Sequence, residues 1–184
     1  MALIEPVAVA IGLAYIVLAI RQQRACWIAG GISTALFIVV FMRAGLPLQA
    51  ALQVAYVALS VYGWVVWRPD GEVPARPRSW PLSRQMPLLA GVGVATAATA
   101  PLLVAFEASA APLAESLGTW ASVAATWMLA RRRVEAWLWW IVIDVGLAGL
   151  FLSRGLAPTA ALYLGFAVLA AVGWREWRRS MAAA

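Results

Sequence analysis

The chain is 184 residues long, 64% hydrophobic and only 12% charged, whereas a soluble domain carries roughly a quarter of its residues as charges, so a water-soluble globule is excluded. One pass through a bilayer core takes about 20 apolar residues, which allows seven passes here and leaves no room for a separate soluble domain. The net charge of +6 is carried by arginine alone, and because the arginines sit in short loops between apolar runs they argue for membrane orientation and against nucleic-acid binding.

Apolar runs bounded by charge or by Pro/Gly fall at 6–20, 27–42, 48–67, 87–106, 113–130, 137–152 and 158–177. The first follows Glu5 without a basic flank, so it reads as a retained helix and not as a cleaved signal. Between the third and fourth runs, Arg68 to Met86 contains Pro69, Pro74, Pro77 and Pro81, a density that reads as an extended loop. With the N-terminus outside, the inner side holds twelve of the fourteen arginines, and only Arg43 and Arg154 fall outside. That asymmetry predicts an N-out, C-in protein.

The chain also aligns with itself, without a gap, at a shift of 110 residues. Trp27 falls on Trp137, Phe41 on Phe151, Gly45 on Gly155 and Leu46 on Leu156. Gly63, Trp64, Trp67 and Arg68 fall on Gly173, Trp174, Trp177 and Arg178. Alanine and leucine matches arise easily by chance in such a composition, whereas a shared G-W-x-x-W-R does not. The expected fold is therefore an all-α integral membrane protein, a single membrane domain over 1–184. Repeat 1 covers about 5–68, a linker loop and fourth span 69–108, and repeat 2 about 115–178. Three plus one plus three spans make the repeats parallel, a transporter plan with its substrate site near the midplane.

Candidate binding residues cluster on two spans. In the third, Gln53, Tyr56, Ser60, Trp64 and Trp67 recur every three or four residues and so share one face. Hydrogen-bonding groups and aromatic planes on one face suit a bound solute. They equally suit interhelical hydrogen bonds, with tryptophan as an interfacial anchor. In the sixth, Asp144 stands mid-helix, with Trp140 one turn before it and Trp137 two turns before. An ionised carboxylate at that depth needs a cavity or a partner. Beside indole faces it suits an organic cation, the alternative being a structural pair with an arginine or hydroxyl. Ser33 and Thr34 occupy the matching stretch of the first repeat, and Tyr163 matches Gln53, so the expected site is asymmetric. Trp120 and Trp127 read as bundle packing, and Gly30, Gly31, Gly63 and Gly173 as points of close helix contact. No histidine is present and Cys26 is the only cysteine, so a Ser–His or Cys–His nucleophile cannot be built. No phosphate loop of the Walker kind appears. The expectation is a non-enzyme with no cofactor and no metal.

The run L-Q-V-A-Y-V-A-L-S-V-Y-G-W-V-V-W at 52–67 resembles the third-span signature of the Pnu-type bacterial vitamin transporters. W-L-W-W-I-V-I-D at 137–144, with R-G-L and A-L-Y at 154–156 and 161–163, resembles its second-half counterpart. The resemblance runs from about Trp27 to Arg178 and implies a seven-helix plan akin to the SWEET sugar carriers. It further implies facilitated uptake of a vitamin precursor, usually nicotinamide riboside, trapped inside by a cytoplasmic kinase, and it allows a homotrimer. On this likeness Gln53, Ser60, Trp140 and Asp144 line the site. Ser33, Ser60, Asp144 and Val172 stand where the nicotinamide riboside carriers tend to have asparagine, so thiamine or riboflavin remain as cargo. A proton-coupled carrier and a membrane scaffold or receptor are the other readings.

Overall fold

A computed structural model of the chain describes residues 4–43, 47–68, 76–105 and 111–182. Among these lie seven helices: α1 (Ile4–Ile20), α2 (Cys26–Arg43), α3 (Pro47–Val66), α4 (Leu82–Ala105), α5 (Pro112–Ala130), α6 (Glu135–Ser153) and α7 (Ala157–Ala182). The surface reverses that of a soluble protein, with Val94 and Val142 more than 70% exposed while Ser33, Ser60, Thr96 and Asp144 are buried. Without water to solvate the main chain, helices that bond internally are the way such a chain crosses a bilayer.

Five helices, α2, α3, α4, α6 and α7, are long and apolar enough to span, and α1 is a shorter apolar helix. The remaining helix, α5, is more polar because protein covers it: Ser116, Ser122, Thr126, Met128 and Leu129 are all buried. The fourth span begins earlier than its apolar run, at Leu82, and carries Pro87 and Pro101 inside it. Pro87 deletes one main-chain bond, while the turn before it is held by Gln85, whose Nε2 donates to the Trp80 carbonyl at 3.1 Å. The last helix runs past Trp177 to Ala182. Gly45, Leu46, Pro69 and Pro74, used in the repeat alignment and the loop assignment, lie outside the described residues.

The chain divides into two compact units. The first is Met1–Pro77 with Ala130–Arg132 and Arg175–Ala184, and the second is Arg78–Leu129 with Arg133–Trp174. In the first, α2 packs against both α1 and α3. Ser33 Oγ donates to the Ala8 carbonyl at 2.8 Å, a tie that satisfies a hydroxyl where no water reaches it. Trp27 lies on Gly63, where an added Cβ would stand 2.3 Å from indole carbons. In the second unit Trp137 lies on Gly173 in the same way, at 2.6 Å.

Two indoles finish the first unit. Trp67 Nε1 donates to the carbonyl of Ala130 at 2.9 Å, and Trp177 Nε1 to that of Ala19 at 3.1 Å. Both acceptors belong to the last turns of α5 and α1, where carbonyls lose their ordinary helical donors; that of Ala19 is shared with the Gln22 N–H at 3.0 Å. The two rings tilt together with centroids 6.0 Å apart, and Trp27 meets Trp67 edge-on at 5.4 Å. Replacing Trp67 by phenylalanine is expected to lower thermal stability in detergent by about 1 kcal/mol, since a buried carbonyl loses its donor. Trp67→Leu should cost more because the ring contacts go as well, and equal melting temperatures for Trp67→Phe and wild type would refute the tie.

Both α1 and α5 end in a Schellman turn. Gln23 N–H reaches the Leu18 carbonyl and Arg133 N–H the Met128 carbonyl, each at 2.9 Å. The residues closing the turns, Gln22 (φ 58°) and Arg132 (φ 54°), are in the left-handed region that favours glycine, at a cost of roughly 1–2 kcal/mol for other residues. They stand 110 positions apart, the same shift that superposes the sequence on itself.

Candidate functional site

In the first unit the third helix presents Ser60 inward. Its hydroxyl lies 3.4 Å from where a Gly30 side chain would begin, and its Cβ lies 3.6 Å from that point on Gly31. Two successive glycines on α2 thus let α3 approach closely enough to bury a hydroxyl. The Tyr15 ring covers the other side of Gly30 at 3.0 Å and meets Trp27 edge-on with centroids 6.0 Å apart. Gln53 and Tyr56, two turns and one turn before Ser60, are half-buried on the same helix, and Tyr56 lies within electrostatic range of Tyr15. Gln53, Tyr56 and Ser60 carry amide and hydroxyl groups on one face of α3, and with the Tyr15 phenol these are groups that can bond a sugar or a carboxamide.

Two other expected residues of this unit are engaged differently. Ser33 is committed to Ala8 through its hydroxyl. Trp64 is half-buried, with the Arg24 guanidinium 3.6 Å above its ring and Arg24 Nε donating to its carbonyl at 2.8 Å. That pairing fastens the start of α2 to the end of α3.

In the second unit Asp144 is 4% exposed. All fourteen arginines are among the described residues, and ion pairs such as Arg154–Glu115 and Arg179–Glu176 form away from it. No hydrogen bond or ion pair joins Asp144 to another side chain among the described residues. Tyr163 lies within electrostatic range of the carboxylate, and its ring contacts Phe151 (5.2 Å) and Phe166 (5.9 Å). Trp140 is half-buried one turn from Asp144. An added Cβ at Gly146, Gly149 or Gly165 would meet nothing within 4 Å. Carboxylate, indole and phenol are the groups that receive an organic cation. Trp137 is buried against Gly173.

The sequence reading missed Tyr15 and the pair formed by Trp139 Nε1 and Gln85 Oε1 at 3.0 Å. The signal for Tyr15 was available: it is the one phenol in a first span whose remaining residues are aliphatic apart from Glu5, Pro6 and Gly12. Trp139 had no such signal, because its partner lies in the stretch read as loop. Among the described residues no group of histidine, cysteine, aspartate and glutamate could hold a metal ion.

A family model described as nicotinamide mononucleotide transporter matches residues 2–179. The nicotinamide riboside transporter PnuC of Escherichia coli (strain K12) is 26% identical over 204 aligned positions, covering 96% of this chain and 85% of that protein. The riboflavin/roseoflavin transporter RibM of Streptomyces davaonensis is 27% identical over 136 positions, 70% of this chain and 63% of that protein. Among solved structures, the crystal structure of the vitamin B3 transporter PnuC superposes with a TM-score of 0.71 at 20% identity, covering 96% of this chain and 83% of that one.

Proposed function

Because the chain belongs to the nicotinamide mononucleotide transporter family, we propose that it carries nicotinamide riboside across the bacterial cytoplasmic membrane by facilitated diffusion. The observation that carries this reading is Asp144, a buried carboxylate on a spanning helix without a counter-ion among the described residues. A buried charge needs a partner, and the pyridinium of nicotinamide riboside is a cation of the right kind. Trp140 and Tyr163 then offer aromatic faces to that ring; in the first unit Gln53, Tyr56 and Ser60, with Tyr15, are separately of the kind that bonds a hydroxyl or a carboxamide. Trp137, Trp64 and Ser33 complete the proposed set by holding its helices.

The bundle is read as a parallel three-plus-one-plus-three repeat, N-out and C-in. Supporting the repeat, the Trp–Gly contacts at 27/63 and 137/173 and the left-handed residues 22 and 132 recur at one shift. Supporting the orientation, the arginine-bearing ends of α1, α3, α5 and α7 meet in the first unit through the Trp67 and Trp177 hydrogen bonds. Uptake without an energy source requires a trap, which a cytoplasmic kinase that phosphorylates the imported nucleoside would provide. A homotrimer is compatible with this plan. A second reading, riboflavin as cargo, is favoured by the likeness to RibM, but a neutral isoalloxazine would leave Asp144 without a partner.

Titrating the purified protein with nicotinamide riboside, thiamine and riboflavin tests the cargo through tryptophan fluorescence. Saturable quenching by nicotinamide riboside at the lowest concentration is expected, and preference for riboflavin would replace the cargo and retain the family. Uptake into proteoliposomes should persist after an uncoupler collapses the proton gradient, and its loss would identify a proton-coupled carrier.

A further inference from the structure

Arg132 is a cation with no ion-pair partner among the described residues. The residue is 9% exposed and its Nε is buried without a hydrogen-bond acceptor. What it has is the face of Trp67, 4.1 Å from its Cζ, and the Cys26 thiol within electrostatic range. A ring face attracts the charge but accepts none of the in-plane hydrogen bonds that a guanidinium offers. Burial accordingly pushes Arg132 below the usual arginine range.

Among its neighbours Arg133 also has a buried Nε and lies over a ring, that of Trp80 at 4.6 Å, while two others are committed to acceptors. Arg24 is committed to the carbonyl and ring of Trp64, and Arg131 donates to the Tyr62 hydroxyl at 3.1 Å. At the matching turn, Gln22 occupies the same left-handed conformation with its Nε2 satisfied by Ser180 Oγ at 2.9 Å. The turn therefore accommodates a neutral, satisfied side chain, and at position 132 it holds an arginine whose Nε has no acceptor among the described residues.

We propose that Arg132 anchors an oxyanion site that takes a phosphate group, its occupant being a soluble phosphomonoester. Guanidinium and phosphate match in charge and in paired donor–acceptor geometry. On the orientation proposed above, this end of the molecule faces the cytoplasm, where a kinase reaction turns the imported nucleoside into such an ester. The inference rests on the transport reading only for that origin, since the site itself follows from the buried cation.

Calorimetric titration of the full chain in neutral-lipid nanodiscs, with ribose 5-phosphate and inorganic phosphate as probes, tests it. Neither probe carries the pyridinium that Asp144 would receive. Saturable binding is expected, weakened about tenfold or more in Arg132→Gln and by raised salt. Arg132→Lys should bind between the two, because it keeps the charge and loses the fork. If no ester binds but phosphatidylglycerol raises the melting temperature of wild type and not of Arg132→Gln, the site stands with a lipid headgroup as its occupant. A response to neither source, or the same response in Arg132→Gln, would overturn the site and leave Arg132 as a cation served by the α5 carboxyl end and Trp67. Glutamine already fits this turn at position 22, so Arg132→Gln should fold, and a nicotinamide riboside titration of the same samples reports the transport reading separately.

Discussion

Asp144→Ala is expected to reduce nicotinamide riboside uptake by about a hundredfold while the protein still inserts and purifies as a folded species. Removing a charge-assisted interaction from a dry site, and leaving the bound cation unpaired there, costs roughly 2–4 kcal/mol, which corresponds to about thirty- to a thousandfold in affinity. Asp144→Asn should fall nearly as far, since shape is kept and charge is removed. Stability should move the other way. A structural carboxylate is missed when removed, whereas one without a protein partner is a standing desolvation cost. Asp144→Asn should therefore match or exceed the wild-type melting temperature, the pattern expected where a site is maintained at the expense of stability. Uptake that survives either substitution, or a clear drop in melting temperature, would remove Asp144 from the substrate site.

The largest structural effect is expected at the two tryptophan–glycine contacts. A methyl group at Gly63 would sit 2.3 Å from the Trp27 indole, and one at Gly173 2.6 Å from that of Trp137. Neither ring has slack, because both are almost fully buried and an indole cannot bend. Gly63→Ala and Gly173→Ala should each cost about 1–3 kcal/mol through overpacking, read as a fall of several degrees in melting temperature and increased aggregation on extraction. Gly91→Ala is the control, since an added Cβ there meets nothing within 4 Å. Pairing Gly63→Ala with Trp27→Leu should recover part of the loss by making room. If Gly63→Ala melts with Gly91→Ala, the packing at Gly63 is not tight.

Much of this architecture is legible in the residues, for definite reasons. Long apolar runs must become helices in lipid, so the seven elements follow from hydropathy, with ends shifted by a few residues. The start of the fourth helix was hidden because Pro87 imitates a boundary, and the helix passes through it at the loss of one bond. Side-chain commitments were harder to read. On α6 the apolar residues surround the helix, so periodicity does not say that Trp137 turns to Gly173 while Asp144 remains unpaired. Ser33 and Ser60 look alike in sequence. One is satisfied by the Ala8 carbonyl and the other faces the glycine pair of α2, a difference set by neighbours distant along the chain. The shift of 110 residues was the most informative pattern, and it reappears in the turns at Gln22 and Arg132, where no residue identity hinted at a shared backbone.

The length of the last helix concerns the surrounding lipid. At 1.5 Å per residue, the 26 residues of α7 reach about 39 Å, against a hydrocarbon core of about 30 Å. The surplus turns carry Arg175, Arg178 and Arg179, so α7 can cross the acyl chains and still leave these guanidinium groups among the polar headgroups, without tilting or drawing the leaflets together.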